Sequence, residues 1–150
     1  MDPQGAVFAA HTAAGTAPGH DGPWGVGEVS WHELATTDPD AAFGFYSDWF
    51  GWAKTESMDM GPGGTYQMFG RTSDRSIGGI FQKPAEMPGP AAWLVYVSVD
   101  NVDARVDTVK QLGGQVLNGP MDVPGGDRVA QCLDPQGAAF ALHSSAASAG

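Results

Sequence analysis

The stretch WHELATTDPDAAFGFYSDWFGW, residues 31–52, changes its period halfway along. Up to the DPD corner the chain alternates in character, as a strand with one buried face does. Beyond it, Ala42, Phe45, Tyr46 and Trp49 recur at spacings of three and four, which gathers them on one side of a helix. Asp38 suits the N-cap, Pro39 the first helical position and Gly51 the stop. The stretch therefore reads as a strand, a corner and a helix.

That order restarts in WLVYVSVDNVDARVDTVKQLGG, residues 93–114, with an apolar strand, Asp100 at the corner and a helix carrying Val102, Val106, Val109 and Leu112. The corner aspartates and the terminating glycines, Gly51 and Gly113, are each 62 positions apart. Short alternating segments follow the first helix at TYQMFGR (65–71) and RSIGGIFQ (75–82), and the second at QVLN (115–118), RVAQCL (128–133) and AAFALHS (138–144). The order is βαβββ, twice. A single such unit covers one face of its sheet with its helix and leaves the other apolar. The expected fold is α+β, with paired βαβββ modules forming a curved, partly open mixed eight-stranded sheet around a concavity of small-molecule size.

A second repeat is of another kind. DPQGAVFAAH, Asp2 to His11, matches DPQGAAFALH, Asp134 to His143, at eight of ten positions. The second copy ends the folded unit, so the first is an ending placed at the start, read as the last-strand remnant of a preceding module or, alternatively, as an extra strand of this one. The expected layout is that remnant over 1–11, a Gly/Pro/Ala/Thr-rich linker over 12–27, a main domain over 28–145 and a flexible tail over 146–150.

A length of 150 residues suits one ordinary core. Seventeen acidic against seven basic residues give a net charge of −10, which repels phosphate backbones and speaks against nucleic acid. The same charge suits a cationic ligand. The lone Cys132 cannot form an internal disulfide, and its strand-like neighbours give it a packing role. No stretch approaches the length of a membrane span. A cytoplasmic protein with no membrane partner is expected.

The segments at 31–52 and 93–104, the LGG at 112–114 and DPQGAAFAL at 134–142 together resemble the vicinal oxygen chelate superfamily, which includes glyoxalase I, extradiol dioxygenases, and fosfomycin- and bleomycin-resistance proteins. The resemblance runs from about Glu28 to His143. It implies a divalent metal held by His and Glu or Gln side chains at three strand positions. In this chain those positions fall on Trp31, Leu94 and Ala141, none of which is a metal ligand. No cofactor is therefore expected at the usual place. A metal on relocated ligands, using Glu33 and His143, is the alternative.

Strand parity selects the remaining candidates. Glu33 falls on the concave side with Trp31, joined by Leu94, Tyr96 and Ser98 from the fifth strand and by Ala141 and His143 from the last. Tyr66 and Met68 are chosen over Gln67 and Phe69 for the same side. Glu33 is the candidate general base, and Trp31 a wall for an aromatic or cationic ligand. His32 points the other way, His20 lies in the linker, and Arg128 is the cation an anion would need.

Three functions fit. The first is a metal-free small-molecule binding protein of glyoxalase or bleomycin-resistance type; the second a lyase, isomerase or dioxygenase using relocated ligands; the third a degenerate module supporting a tandem or oligomeric assembly. A homodimer, or pairing with a preceding module, is expected in each.

Overall fold

The computed structural model describes residues 1–12, 14–15 and 22–146. The elements are β1 (Val29–Thr36), α1 (Pro39–Phe50), β2 (Ala53–Asp59), β3 (Thr65–Gly70), β4 (Gly78–Gln82), β5 (Ala92–Ser98), α2 (Val102–Gln111), β6 (Gln115–Asp122), β7 (Arg128–Leu133) and β8 (Ala139–Ser144). They form the α+β arrangement of two βαβββ modules, with one mixed, partly open eight-stranded sheet in the order β2-β3-β4-β1-β5-β8-β7-β6. The chain divides into two compact units, Met1–Pro23 with Glu33–Trp93, and Trp24–His32 with Leu94–Gly150.

In the first unit α1 begins and ends where its residues dictate. Asp38 accepts a hydrogen bond from the Ala41 N–H at 3.0 Å, Pro39 opens the helix, and Gly51 closes it at a φ of 68°. Ala42 and Tyr46 pack on Leu34, Phe69 and Ile80 from β1, β3 and β4. Trp52 stacks on Phe69 with ring centroids 4.3 Å apart. Burying residues of this size contributes about 1.5–3 kcal/mol each before the cost of ordering them. Trp49 stays exposed. β2 has no apolar alternation to announce it: its pattern is AKTESMD, and among the described residues only β3 pairs it.

The opening copy keeps its corner and loses its strand. Asp2 accepts from the N–H groups of Gln4 and Ala6 at 3.0 and 2.7 Å, as Asp134 does from Gln136 and Ala138 at 2.9 and 2.8 Å. Both turns place their glycine, Gly5 and Gly137, in the left-handed region. Beyond that, residues 138–144 lead into β8 while residues 7–12 form no strand. Phe8 instead packs edge-on against Phe45, Tyr46, Trp49 and Phe50, an aromatic surface that competes with strand pairing. His20 lies outside the described residues, as do most of the linker's central positions and the last four of the tail.

In the second unit Val102 and Val106 of α2 pack on Ala130, Cys132 and Leu142 of β7 and β8. Cys132 is free and buried, and burial pushes its thiol up from its ordinary pKa. The helix cap is Asn101, whose side chain accepts from the Ala104 N–H at 3.0 Å, rather than the preceding Asp100. β5 and β8 run parallel with Tyr96 opposite Ala141 and Ser98 opposite His143. The expected linker ends early: the Gly27 N–H donates to the Ser98 carbonyl at 2.8 Å, and the Trp24 ring lies 5.8 Å from that of His143.

Candidate functional site

The faces turned away from the helices carry the candidate residues, one set in each unit. In the first unit, Leu34, Phe69 and Ile80 point into the core beneath α1, so alternation sends Glu33, Met68 and Phe81 to the opposite face. Tyr66 shares that face with Met68. Its hydroxyl donates to Glu33 Oε2 at 3.0 Å, and its ring stacks on Phe81 with centroids 5.8 Å apart and planes at 21°. Both Glu33 and Tyr66 are half-buried.

Gly79 explains how the Tyr66 ring fits. A Cβ built there would lie 2.1 Å from Cε1, 2.2 Å from Cζ and 2.4 Å from the hydroxyl oxygen of Tyr66. Gly79 is not among the glycines with positive φ, so the backbone does not demand it; the ring does. Phe81 and Gly79 escape parity reasoning aimed at polar groups. The one signal for them is the Gly-Gly inside a strand pattern, which marks a close approach.

In the second unit, Tyr96, Val129 and Ala141 form a buried cluster joined by Trp31, Leu94, Met121 and Val123. Gln131 donates its side-chain N–H to the Tyr96 hydroxyl at 3.0 Å. Ser98 and His143 are buried at one end of this set. His143 Nδ1 is 2.9 Å from the Ser30 hydroxyl, and Nε2 is 2.9 Å from Asp127 Oδ2. Ser30 also donates to the Tyr96 carbonyl at 3.2 Å. Burial opposes ionisation of Asp127, yet the hydrogen bonds from His143 and the Ala146 N–H, with the electrostatic pull of the nearby imidazole, hold its carboxyl below the usual range. Ser30, Asp127 and Trp24 have no local motif, because their meeting with His143 joins segments far apart in sequence.

The residues present do not suit the metal that this kind of fold commonly carries. Trp31 offers only an N–H donor, Leu94 and Ala141 offer nothing, and both ring nitrogens of His143 are already engaged. Among the described residues no group of three or more His, Cys, Asp or Glu side chains is placed to hold an ion. The pairing of Glu33 with His143 on one ion therefore lacks support.

Arg128, the cation that a bound anion would need, is already paired. Its guanidinium donates to Asp103 at 2.5 and 2.8 Å and to Asp122 at 2.8 Å, so two carboxylates already neutralise it. His32 is half-buried in β1 and engaged in its own interactions.

Paired βαβββ modules with polar side chains on the faces opposite the helices define a class of small-ligand folds whose chemistry varies with those side chains. The family model of the Glyoxalase/Bleomycin resistance protein/Dioxygenase superfamily matches residues 26–142, and the chain belongs to that superfamily. The putative glyoxylase CFP32 of Mycobacterium tuberculosis is 38% identical over 117 residues, covering 77% of this chain and 43% of that protein. The anthracycline biosynthesis protein DnrV of Streptomyces peucetius is 37% identical over 128 residues, covering 77% and 46%. The chain thus spans less than half the length of these relatives. Among solved structures, a variant of Streptomyces coelicolor methylmalonyl-CoA epimerase with bound 2-nitronate-propionyl-CoA superposes with a TM-score of 0.61 at 20% identity, covering 82% of this chain and 97% of that one. That likeness is one of fold.

Proposed function

We propose that this chain is a proton-transfer enzyme of the superfamily, or a module of one, acting on a small carbonyl compound with Glu33 as general base. The observation that carries this reading is the hydrogen bond from Tyr66 to Glu33, at 3.0 Å on a half-buried, partly aromatic face. A carboxylate in such a place is paired, protonated or used, and one met by a phenol has a partner for moving a proton. The reaction class is isomerisation, epimerisation or elimination next to a carbonyl, because these need a base and a stabilised oxygen rather than an oxidant. The relatives support it by kind: one is described as a putative glyoxylase, another as a biosynthesis protein, and an epimerase shares the fold.

Binding without turnover is the second reading. It is favoured by Trp31, Leu94 and Tyr96, which give the second unit an apolar and aromatic face suited to an aromatic or cationic compound. Pairing with a preceding module or a second copy, and a cytoplasmic setting, belong to the same proposal. Among the described residues no helix is long and apolar enough to cross a membrane.

The deciding experiment follows loss of the α-proton signal by NMR in heavy water, using α-hydroxy ketones and acyl thioesters. Wild type is expected to accelerate exchange, and Glu33→Gln to lower the rate by about 100-fold or more. Equal exchange by the two proteins would leave Glu33 without the role of base.

A further inference from the structure

We infer that the Tyr66 hydroxyl receives the oxyanion formed when Glu33 removes a proton, that the substrate is a planar conjugated carbonyl compound lying along Tyr66 and Phe81, and that Gly79 is the residue that positions the phenol. The inference rests on Glu33 being the base and adds the electrophilic partner, the substrate class and a positioning residue.

Removing a proton beside a carbonyl turns the C–H electron pair into a C=C bond and sends the carbonyl π pair to oxygen. Glu33 takes the proton, and its return from Glu33 to a neighbouring carbon on the same face restores carboxylate and carbonyl with no change of oxidation state. The transient oxygen charge needs a donor aimed at it. The positions where the family resemblance implies metal ligands hold Trp31, Leu94 and Ala141, which offer no metal-ligating atom, so the donor is sought elsewhere in the chain. Tyr66 is a donor already beside the base, at 3.0 Å.

The same hydrogen bond regulates the base. A donor bound to a carboxylate favours its charged form and weakens it as a proton acceptor. When a substrate oxygen takes over the Tyr66 hydrogen bond, Glu33 loses that stabilisation and its basicity rises. The base is strengthened at the moment the oxyanion partner is in place.

Gly79 sets where the phenol sits. The atoms a Cβ would strike are at the hydroxyl end of the ring, within 2.4 Å, so even a methyl group must push the hydroxyl away from Glu33. Phe81, stacked with its centroid 5.8 Å away and its plane at 21°, holds the Tyr66 ring plane and adds a second, nearly parallel aromatic ring beside the base. Two near-parallel aromatic rings beside a base and a donor suit a planar conjugated ketone better than an aliphatic acid.

The probe is 5-nitrobenzisoxazole, a planar carbon acid. A base removes its ring C–H, the N–O bond breaks, and a coloured phenolate forms whose oxygen needs a hydrogen-bond donor. Wild type, Glu33→Gln, Tyr66→Phe, Gly79→Ala and the Tyr66→Phe/Gly79→Ala double variant are compared, each after its thermal transition has shown that it is folded.

Glu33→Gln is expected to lose about 100-fold or more in kcat/KM. Tyr66→Phe should lose about 10- to 100-fold, chiefly in kcat, with the acidic limb of its pH profile moved to higher pH because Glu33 has lost a donor. Gly79→Ala should reproduce both effects and add nothing in the double variant.

If Glu33→Gln is impaired while Tyr66→Phe keeps the wild-type rate and pH limb, the inference is overturned and the base reading stands. If wild type is no faster than Glu33→Gln, the base reading fails and the inference with it. Should Gly79→Ala not fold, Tyr66→Phe alone decides the role of the phenol.

Discussion

At the scale of single residues, the polar chain inside the first unit shows how a buried acidic side chain is accommodated. Asp2 is 4% exposed, yet its carboxylate accepts two backbone N–H groups and the Tyr46 hydroxyl at 3.0 Å, while the Trp93 indole N–H donates to that hydroxyl at 2.9 Å. Burial, together with Asp2, drives the Tyr46 phenol well above its ordinary pKa, with the Trp93 hydrogen bond acting the other way. The sign of the linkage follows. An unfolded tyrosine ionises near about 10, whereas Tyr46 in the folded chain stays protonated beyond that, so its contribution is complete below about pH 10 and lost as pH rises toward the folded value. Tyr46→Phe should cost about 1–3 kcal/mol at neutral pH, since it strands a carboxylate oxygen and an indole N–H. In urea titrations at several pH values, the gap between wild type and Tyr46→Phe should narrow above about pH 10. A gap that stays constant there would mean that Tyr46 ionises normally.

At the scale of elements, the two helix starts look alike in sequence and differ in chemistry. Asp38 caps α1 directly, whereas the aspartate at the equivalent corner, Asp100, grips Arg105 at 2.8 and 3.0 Å and leaves the cap to Asn101. Asn101→Ala should therefore destabilise the chain by about 1 kcal/mol, with a lower urea midpoint and an unchanged slope. Asp100→Ala should leave the midpoint close to wild type, because its ion pair with Arg105 faces solvent. A larger loss from Asp100→Ala than from Asn101→Ala would reverse the assignment of the cap.

The same contrast marks what the sequence makes legible. Elements whose apolar period is strong, such as α1 with Ala42 and Tyr46 or β7 with Ala130 and Cys132, can be read directly. β2 cannot, since an edge strand of alternating polar residues has nothing to bury. The opening DPQG corner is readable because its hydrogen bonds are local, but the fate of Phe8 depends on aromatic residues nearly forty positions away. Within the candidate site, parity reaches Glu33, Tyr66 and Met68, whereas Gly79 matters through the ring it accommodates, and the partners of His143 come from segments with no shared motif.

At the scale of the whole molecule, charge is the property least balanced by structure. The net charge is −10, and four of the seven basic residues already pair with carboxylates: Lys54 with Asp40, Arg105 with Asp100, Lys110 with Asp107, and Arg128 with Asp103 and Asp122. The remaining carboxylates repel one another over distances that water screens poorly at low ionic strength. Salt acts in two opposing directions, weakening these exposed pairs and relieving the repulsion. Exposed pairs contribute little, and acidic residues outnumber basic ones seventeen to seven, so relief should win. The melting temperature is expected to rise as sodium chloride increases from about 10 mM to about 0.15 M, and to change less beyond that as the screening length falls below the spacing of the charges. A melting temperature that drops over the same range would show that the ion pairs around Arg128 and Arg105 outweigh the surplus of negative charge.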